Sequence, residues 1–142
     1  MPKTSEKYKT DYLFKKENDR SPIVFIHGVG LAKEIWSPQI DFFKDYNILT
    51  YDLIGHGKTP LEKTQLNFED FVKQLLNLIN ELEIKKIHLV GFSLVALIAG
   101  KIVGLKFKFF KFLRIFCFMP KSKQTIGKLS YFSSLTFCFH KP

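Results

Sequence analysis

The sequence predicts an α/β fold: helices on both faces of a mostly parallel, doubly wound sheet. Two observations predict it. Short apolar runs, each ended by Gly or Asp, recur through the first hundred residues, and amphipathic helical stretches stand between them. Runs of four or five apolar residues read as strands buried on both faces. Strand–helix–strand order then implies parallel pairing with right-handed crossovers.

In chain order, Tyr12–Lys16 can add an antiparallel strand at the sheet edge. Ile23–Ile26 is the first buried strand, closed by His27-Gly28. A helix should follow, with Ser37 as N-cap and Pro38 at its first position, carrying Ile40, Phe42 and Phe43. Ile48–Tyr51 is the second strand and ends at Asp52. Phe68, Phe71, Val72, Leu75, Leu76, Ile79 and Leu82 then form one continuous helical stripe. Asn67 can cap that helix, with Asp70 reaching back. Glu69, Lys73, Asn77 and Asn80 occupy its other side. Ile87–Val90 is the third strand, ending at Gly91, and a third helix is expected from about Leu94 to Val103, where Ala96, Ala99 and Gly100 allow close packing.

Charge divides the chain. Of 142 residues, 22 are Lys or Arg and 13 are Asp or Glu. All 13 acidic residues lie before residue 84, where the net charge is −2, whereas residues 84–142 hold 11 basic residues and no acid. From Leu105 onward, nine Phe and seven Lys fall in 38 residues. The division predicts residues 1–104 as the ordered α/β part and 105–142 as a basic, Phe-rich tail of doubtful fold. Ordinary apolar content and two sparse cysteines exclude collagen-like, disulfide-stapled and plainly disordered classes. Met1–Arg20 lacks the apolar core of a secretory signal, and no apolar stretch reaches the length of a membrane span. A soluble, cytoplasmic protein is expected. Cys117 and Cys138 form no C-x-x-C and should stay reduced.

Three motifs stand at the ends of the expected strands, His27-Gly28-Val29-Gly30, Asp52-Leu53-Ile54-Gly55-His56-Gly57-Lys58-Thr59 and Gly91-Phe92-Ser93-Leu94-Val95, with Trp36 inside the first helix region. In this order and spacing, from about Ile23 to Val103, they resemble the N-terminal half of the α/β-hydrolase family, in the style of small esterases and enol-lactonases. The resemblance implies a sheet of that family's type, lacking its C-terminal strands and lid. It also implies a Ser nucleophile at Ser93, raised on a sharp strand-to-helix turn. The backbone N–H groups of Val29 and Leu94 would form the oxyanion hole, where losing one donor costs on the order of 3 kcal/mol. The expected substrate is a small ester, thioester or lactone.

The pattern is incomplete. The family places its acid and base after the serine, yet no Asp or Glu follows Ser93, and the one His there is His140. Val95 stands where the family keeps a small residue, which should cost of order 1–3 kcal/mol or rearrange the turn. Little or no turnover is therefore expected of this form, unless His140 or His56 is recruited as base. His27 reads as a hydrogen-bonded loop anchor, His56 as structural, His88 as a core or edge histidine, and Asp52 as an acceptor for N–H groups in its turn. No His has a partner at ligand spacing, so neither a metal nor a cofactor is expected.

The tail admits three readings. One is the next strand of the sheet, around Leu113–Phe118, overloaded with Phe. The alternation of Lys and Phe also suits a non-enzymatic binding protein whose tail contacts anionic membrane or nucleic acid. The preferred reading is loss of the reading frame near Gly104, since acids and motifs vanish together. No specific nucleic-acid partner follows from any of these, whereas uncovered apolar surface favours self-association.

Overall fold

The computed structural model describes residues 3–92, residue 98, and the backbone of 112–118 and 137–140. Seven strands form one sheet among the described residues: β1 Lys3–Thr4, β2 Asp11–Lys15, β3 Ile23–Ile26, β4 Ile48–Tyr51, β5 His88–Phe92, β6 Phe112–Phe118 and β7 Phe137–His140. Their spatial order is β1-β2-β4-β3-β5-β6-β7. The central pairs β4–β3, β3–β5 and β5–β6 are parallel, and the outer pairs are antiparallel. The fold class is α/β, as the run-and-helix pattern predicts.

Both faces of the centre are buried because alternate side chains serve different cores. Val24, Ile26, Leu49, Tyr51 and Leu89 face one cluster, with Val72, Leu75, Leu78 and Ile79 of α2 (Phe68–Glu81) covering it. Ile23, Phe25, Ile48 and Val90 face the other, closed by Trp36 with Ile40 and Phe43 at helix α1 (Ser37–Phe42). The Trp36 ring lies 4.9 Å from that of Phe25. Period-two alternation on four-residue strands thus loads two cores at once.

Three boundaries differ from the sequence reading. The edge strand is Asp11–Lys15, paired antiparallel with β4. The third parallel strand starts one residue later than Ile87 and runs through Gly91 to Phe92, because β6 keeps its ladder paired past the glycine, where the β3 pairing ends. Ser37 is the first residue of α1 and not its cap. A 3-10 turn, Lys33–Trp36, runs directly into the helix, Trp36 takes the cap position, and the Ser37 hydroxyl donates back to the Glu34 carbonyl at 2.8 Å. The expected helix from Leu94 lies outside the described residues except at Ile98, which is helical and fully buried. Strand β6 covers the tail segment for which the sequence left a strand open, one residue longer at its start.

The capping box of α2 forms as predicted. Asn67 Oδ1 accepts the Asp70 N–H at 3.1 Å, and Asp70 Oδ2 accepts the Asn67 N–H at 3.0 Å. Asn67→Ala removes the side-chain acceptor of the Asp70 N–H and leaves it the Asn67 carbonyl alone, so urea unfolding should show a loss of about 1 kcal/mol at an unchanged slope. No loss would remove the cap from the account.

Candidate active site

Ladder register brings three strand ends together. Ile26 pairs with Tyr51 on one side and with Gly91 on the other, all running parallel. The residues that follow them, His27, Asp52 and Phe92, therefore stand side by side, with His27 in the middle. Open α/β sheets place their sites at these carboxyl ends.

Asp52 organises two of the loops. It is completely buried. Its Oδ1 accepts the Lys33 N–H at 2.7 Å, and its Oδ2 accepts the Lys58 N–H at 2.9 Å and the Lys33 ammonium at 3.0 Å. The reading of Asp52 as a turn acceptor holds, and its reach is wider than one turn. Burial acts against the Asp52 charge, but the hydrogen bonds from Lys58 and Lys33 outweigh it and hold the carboxyl below its ordinary range. Lys33 is buried as well, and its ammonium lies 3.2 Å from Asp11 and 2.9 Å from Glu34. Burial opposes its charge too, yet bonds to Glu34, Asp52 and Asp11 keep its pKa raised.

A second set of buried polar groups closes the network from behind. Gln74 Nε2 donates to the Asp52 carbonyl and to Thr10 Oγ1, each at 3.0 Å, while its Oε1 accepts the Ile54 N–H at 3.1 Å. The Thr59 hydroxyl donates to the Asp52 carbonyl at 2.9 Å and accepts the Asp11 N–H at 3.0 Å. Sequence reasoning missed Lys33, Asp11, Gln74 and Thr59. Lys33 and Asp11 carry no local motif. Gln74, between Lys73 and Leu75, falls outside the apolar stripe of α2 and reads as one of that helix's polar positions, although it is buried.

His27 is the anchor that the sequence suggests. Its Nδ1 lies 2.8 Å from the Gly28 carbonyl, and its Nε2 accepts the Leu53 N–H at 3.0 Å. That pattern sets the neutral tautomer, with the proton on Nδ1. The 3.9 Å approach of Nε2 to Asp52 is therefore not an ion pair. His56 bonds through Nδ1 to the Ile54 carbonyl at 3.0 Å, and its ring lies 5.5 Å from that of His27. His88, in β5, is half-buried, and its N–H donates to the Pro22 carbonyl at 2.9 Å.

Burial pushes the His27 imidazole below its ordinary 6.5, with the Gly28 carbonyl and the Asp52 carboxylate acting in the opposite sense. The unfolded chain takes up that proton at 6.5 and the folded chain only at lower pH. The contribution of His27 is thus complete above the unfolded value and is lost as pH falls below it. Unfolding free energies measured from about pH 7.5 to about 5.5 should decline, and His27→Gln should flatten that decline. An identical slope in the variant would contradict the assignment.

Val29 sits at the apex of a turn closed by the Leu31 N–H on the Gly28 carbonyl at 3.2 Å, with Gly30 at a φ of +78°. Its side chain is 69% exposed. Ser93, Leu94 and Val95 lie outside the described residues; β5 ends at Phe92, immediately before them. Among the described residues, no group of three His, Cys, Asp or Glu side chains could hold a metal ion, and no helix is long and apolar enough to cross a membrane.

Residues 21–105 match the sequence pattern of the α/β hydrolase fold. The chain belongs to the α/β hydrolase fold family. Curated α/β hydrolase relatives include the (E)-2-((N-methylformamido)methylene)succinate hydrolase of Acinetobacter baylyi, 34% identical over 84 residues, which are 58% of this chain and 32% of that protein. The pimeloyl-[acyl-carrier protein] methyl ester esterase of Legionella pneumophila (strain Paris) is 34% identical over 88 residues, 61% of this chain and 34% of the esterase. The 3-oxoadipate enol-lactonase 1 of A. baylyi is 34% identical over 79 residues, covering 54% and 29%. The chain thus spans about a third of the length of these α/β hydrolases. Among solved structures, an α/β hydrolase enzyme, MGS-M2, from a Medee basin deep-sea metagenome library aligns with a TM-score of 0.70 at 22% identity, covering 81% of this chain and 43% of its own. A haloalkane dehalogenase from Bradyrhizobium elkanii (the DbeA-M1 loop variant) aligns at 0.69 and 21% identity, covering 81% and 38%. At these identities the two structures speak for the fold.

Proposed function

We infer that the chain is the nucleophile-bearing section of a serine-type hydrolase that attacks a small ester, thioester or lactone carbonyl. Ser93 is the nucleophile, and the Val29 and Leu94 N–H groups receive the oxyanion. The register Ile26↔Gly91 supports this reading, because β5, which ends at Phe92 just before Ser93 in the sequence, lies beside β3, which leads into His27-Gly28-Val29. Attack by Ser93 would move charge onto the carbonyl oxygen, and the turn assigned to receive it is held at its two ends by His27 and Lys33. The esterase and lactonase names of the relatives favour acyl chemistry.

Turnover by this chain alone is expected to be low. A serine hydroxyl needs a base to lose its proton, His27 is committed to Gly28 and Leu53, and no acid follows Ser93 in the sequence. Labelling with a fluorophosphonate, localised by mass spectrometry, tests the assignment. Slow labelling confined to Ser93 and absent from Ser93→Ala is expected. Labelling at another residue, or rapid turnover that survives Ser93→Ala, would overturn it.

A further inference from the structure

Lys33 grips one carboxylate twice. Its backbone N–H donates to Asp52 Oδ1 at 2.7 Å and its ammonium to Oδ2 at 3.0 Å. At the other end of the same loop, His27 Nε2 accepts the N–H of Leu53, the residue after Asp52, at 3.0 Å. The segment from Gly28 to Ala32 is thus pinned at both ends to the loop that follows β4, and Val29 stands at its apex. The side-chain half of the grip is buried, with Lys33 5% exposed and Asp52 0%, where a charge-assisted hydrogen bond is stronger than in water. We propose that Lys33 is a positioning residue, fixing through Asp52 the turn that presents the Val29 N–H to a developing oxyanion. The proposal deepens the function inferred above and rests on its assignment of Val29.

The arrangement differs from plain core stabilisation in one respect. Asp11 lies 3.2 Å from the same ammonium but makes no hydrogen bond to residues 28–32: its backbone N–H goes to Thr59 and its carbonyl accepts the Asp52 N–H. Asp11 balances charge behind Lys33, whereas Asp52 connects Lys33 to the turn. Loss of the Lys33 side chain should therefore loosen residues 28–33 beyond any global loss of stability, and loss of the Asp11 charge should not.

Amide hydrogen exchange of the full chain tests this, read in the peptide spanning 28–33. Lys33→Met should raise exchange there about tenfold more than Leu78→Ala, a core variant that lowers global stability away from the turn. Lys33→Arg, which keeps a cationic donor for Asp52, should restore protection to within about threefold of the parent, and Asp11→Asn should leave it unchanged. Should Lys33→Met fail to fold, Lys33→Met combined with Asp11→Asn carries the same test, since it removes one charge of each sign and retains both backbone donors to Asp52. Exchange in 28–33 that rises no more than in Leu78→Ala, or that Lys33→Arg does not rescue, overturns the proposal. A parallel measurement of Ser93 acylation separates the two claims: a parent chain that never acylates Ser93 defeats the proposed function, while the exchange comparison still decides the role of Lys33.

Discussion

Asp52→Ala is expected to lower the unfolding free energy by about 3–5 kcal/mol, the range for breaking a buried ion pair by removing one partner. The reason is what the substitution strands. The Lys33 and Lys58 N–H groups lose their acceptor, and the buried Lys33 ammonium loses the fully desolvated member of its carboxylate set. Asp11 and Glu34 remain near it, so part of the charge stays compensated. Asp45→Ala, at an exposed position, should change stability by no more than about 0.5 kcal/mol. The pH dependence should change as well. Asp52 titrates below its ordinary 3.8 in the folded chain, so its stabilisation is present above the unfolded value and lost as pH falls through it. The variant should lack that part of the acid limb. A loss below about 1 kcal/mol in urea unfolding would show that the cluster does not hold the loops.

The second large effect is expected at Gly57. Its φ of +52° places it in the left-handed region, which costs an L-residue about 1–2 kcal/mol. A Cβ there would also collide with the carboxylate of Asp52. That carboxylate cannot yield without releasing Lys33 and Lys58, so Gly57→Ala should cost about 3 kcal/mol or more. Gly55 supplies the contrast. It has a φ of +74°, but its Cβ would meet only the Leu61 side chain, at an ordinary 3.5 Å. Gly55→Ala should therefore show the backbone penalty alone, about 1–2 kcal/mol. Equal losses in the two variants would mean that the Asp52 carboxylate is not the obstacle at Gly57.

How far the sequence carries the structure depends on how local the determinants are. Strands β3 and β4 are legible because each is an unbroken apolar run with a stop signal after it. Helix α2 and its capping box are legible because stripe and cap both recur at fixed spacing. His27 and Asp52 are legible as loop anchors from their positions at strand ends. Strand β1 has only two residues and no pattern of its own; it exists because Lys3 and Thr4 pair with Tyr12 and Asp11. Ser37 has the residue type of a cap, but Lys33–Trp36 already turn, so the helix needs no hydroxyl there. Lys33 carries no local signal, because its partners Asp11 and Asp52 lie 22 and 19 positions away. Long-range charge pairing leaves no periodic trace, which is why the polar network beneath the site was hidden while the motifs above it were not.

The most direct measurement is formation of an acyl adduct at Ser93 from an activated ester, followed by intact-protein and peptide mass spectrometry with and without added imidazole. Imidazole supplies an external base for the serine hydroxyl. The account predicts an acetyl adduct on Ser93 from p-nitrophenyl acetate that forms about tenfold or more faster with imidazole and is absent from Ser93→Ala. Failure to acylate Ser93 under either condition, with the chain folded, would contradict the assignment of Ser93 as nucleophile.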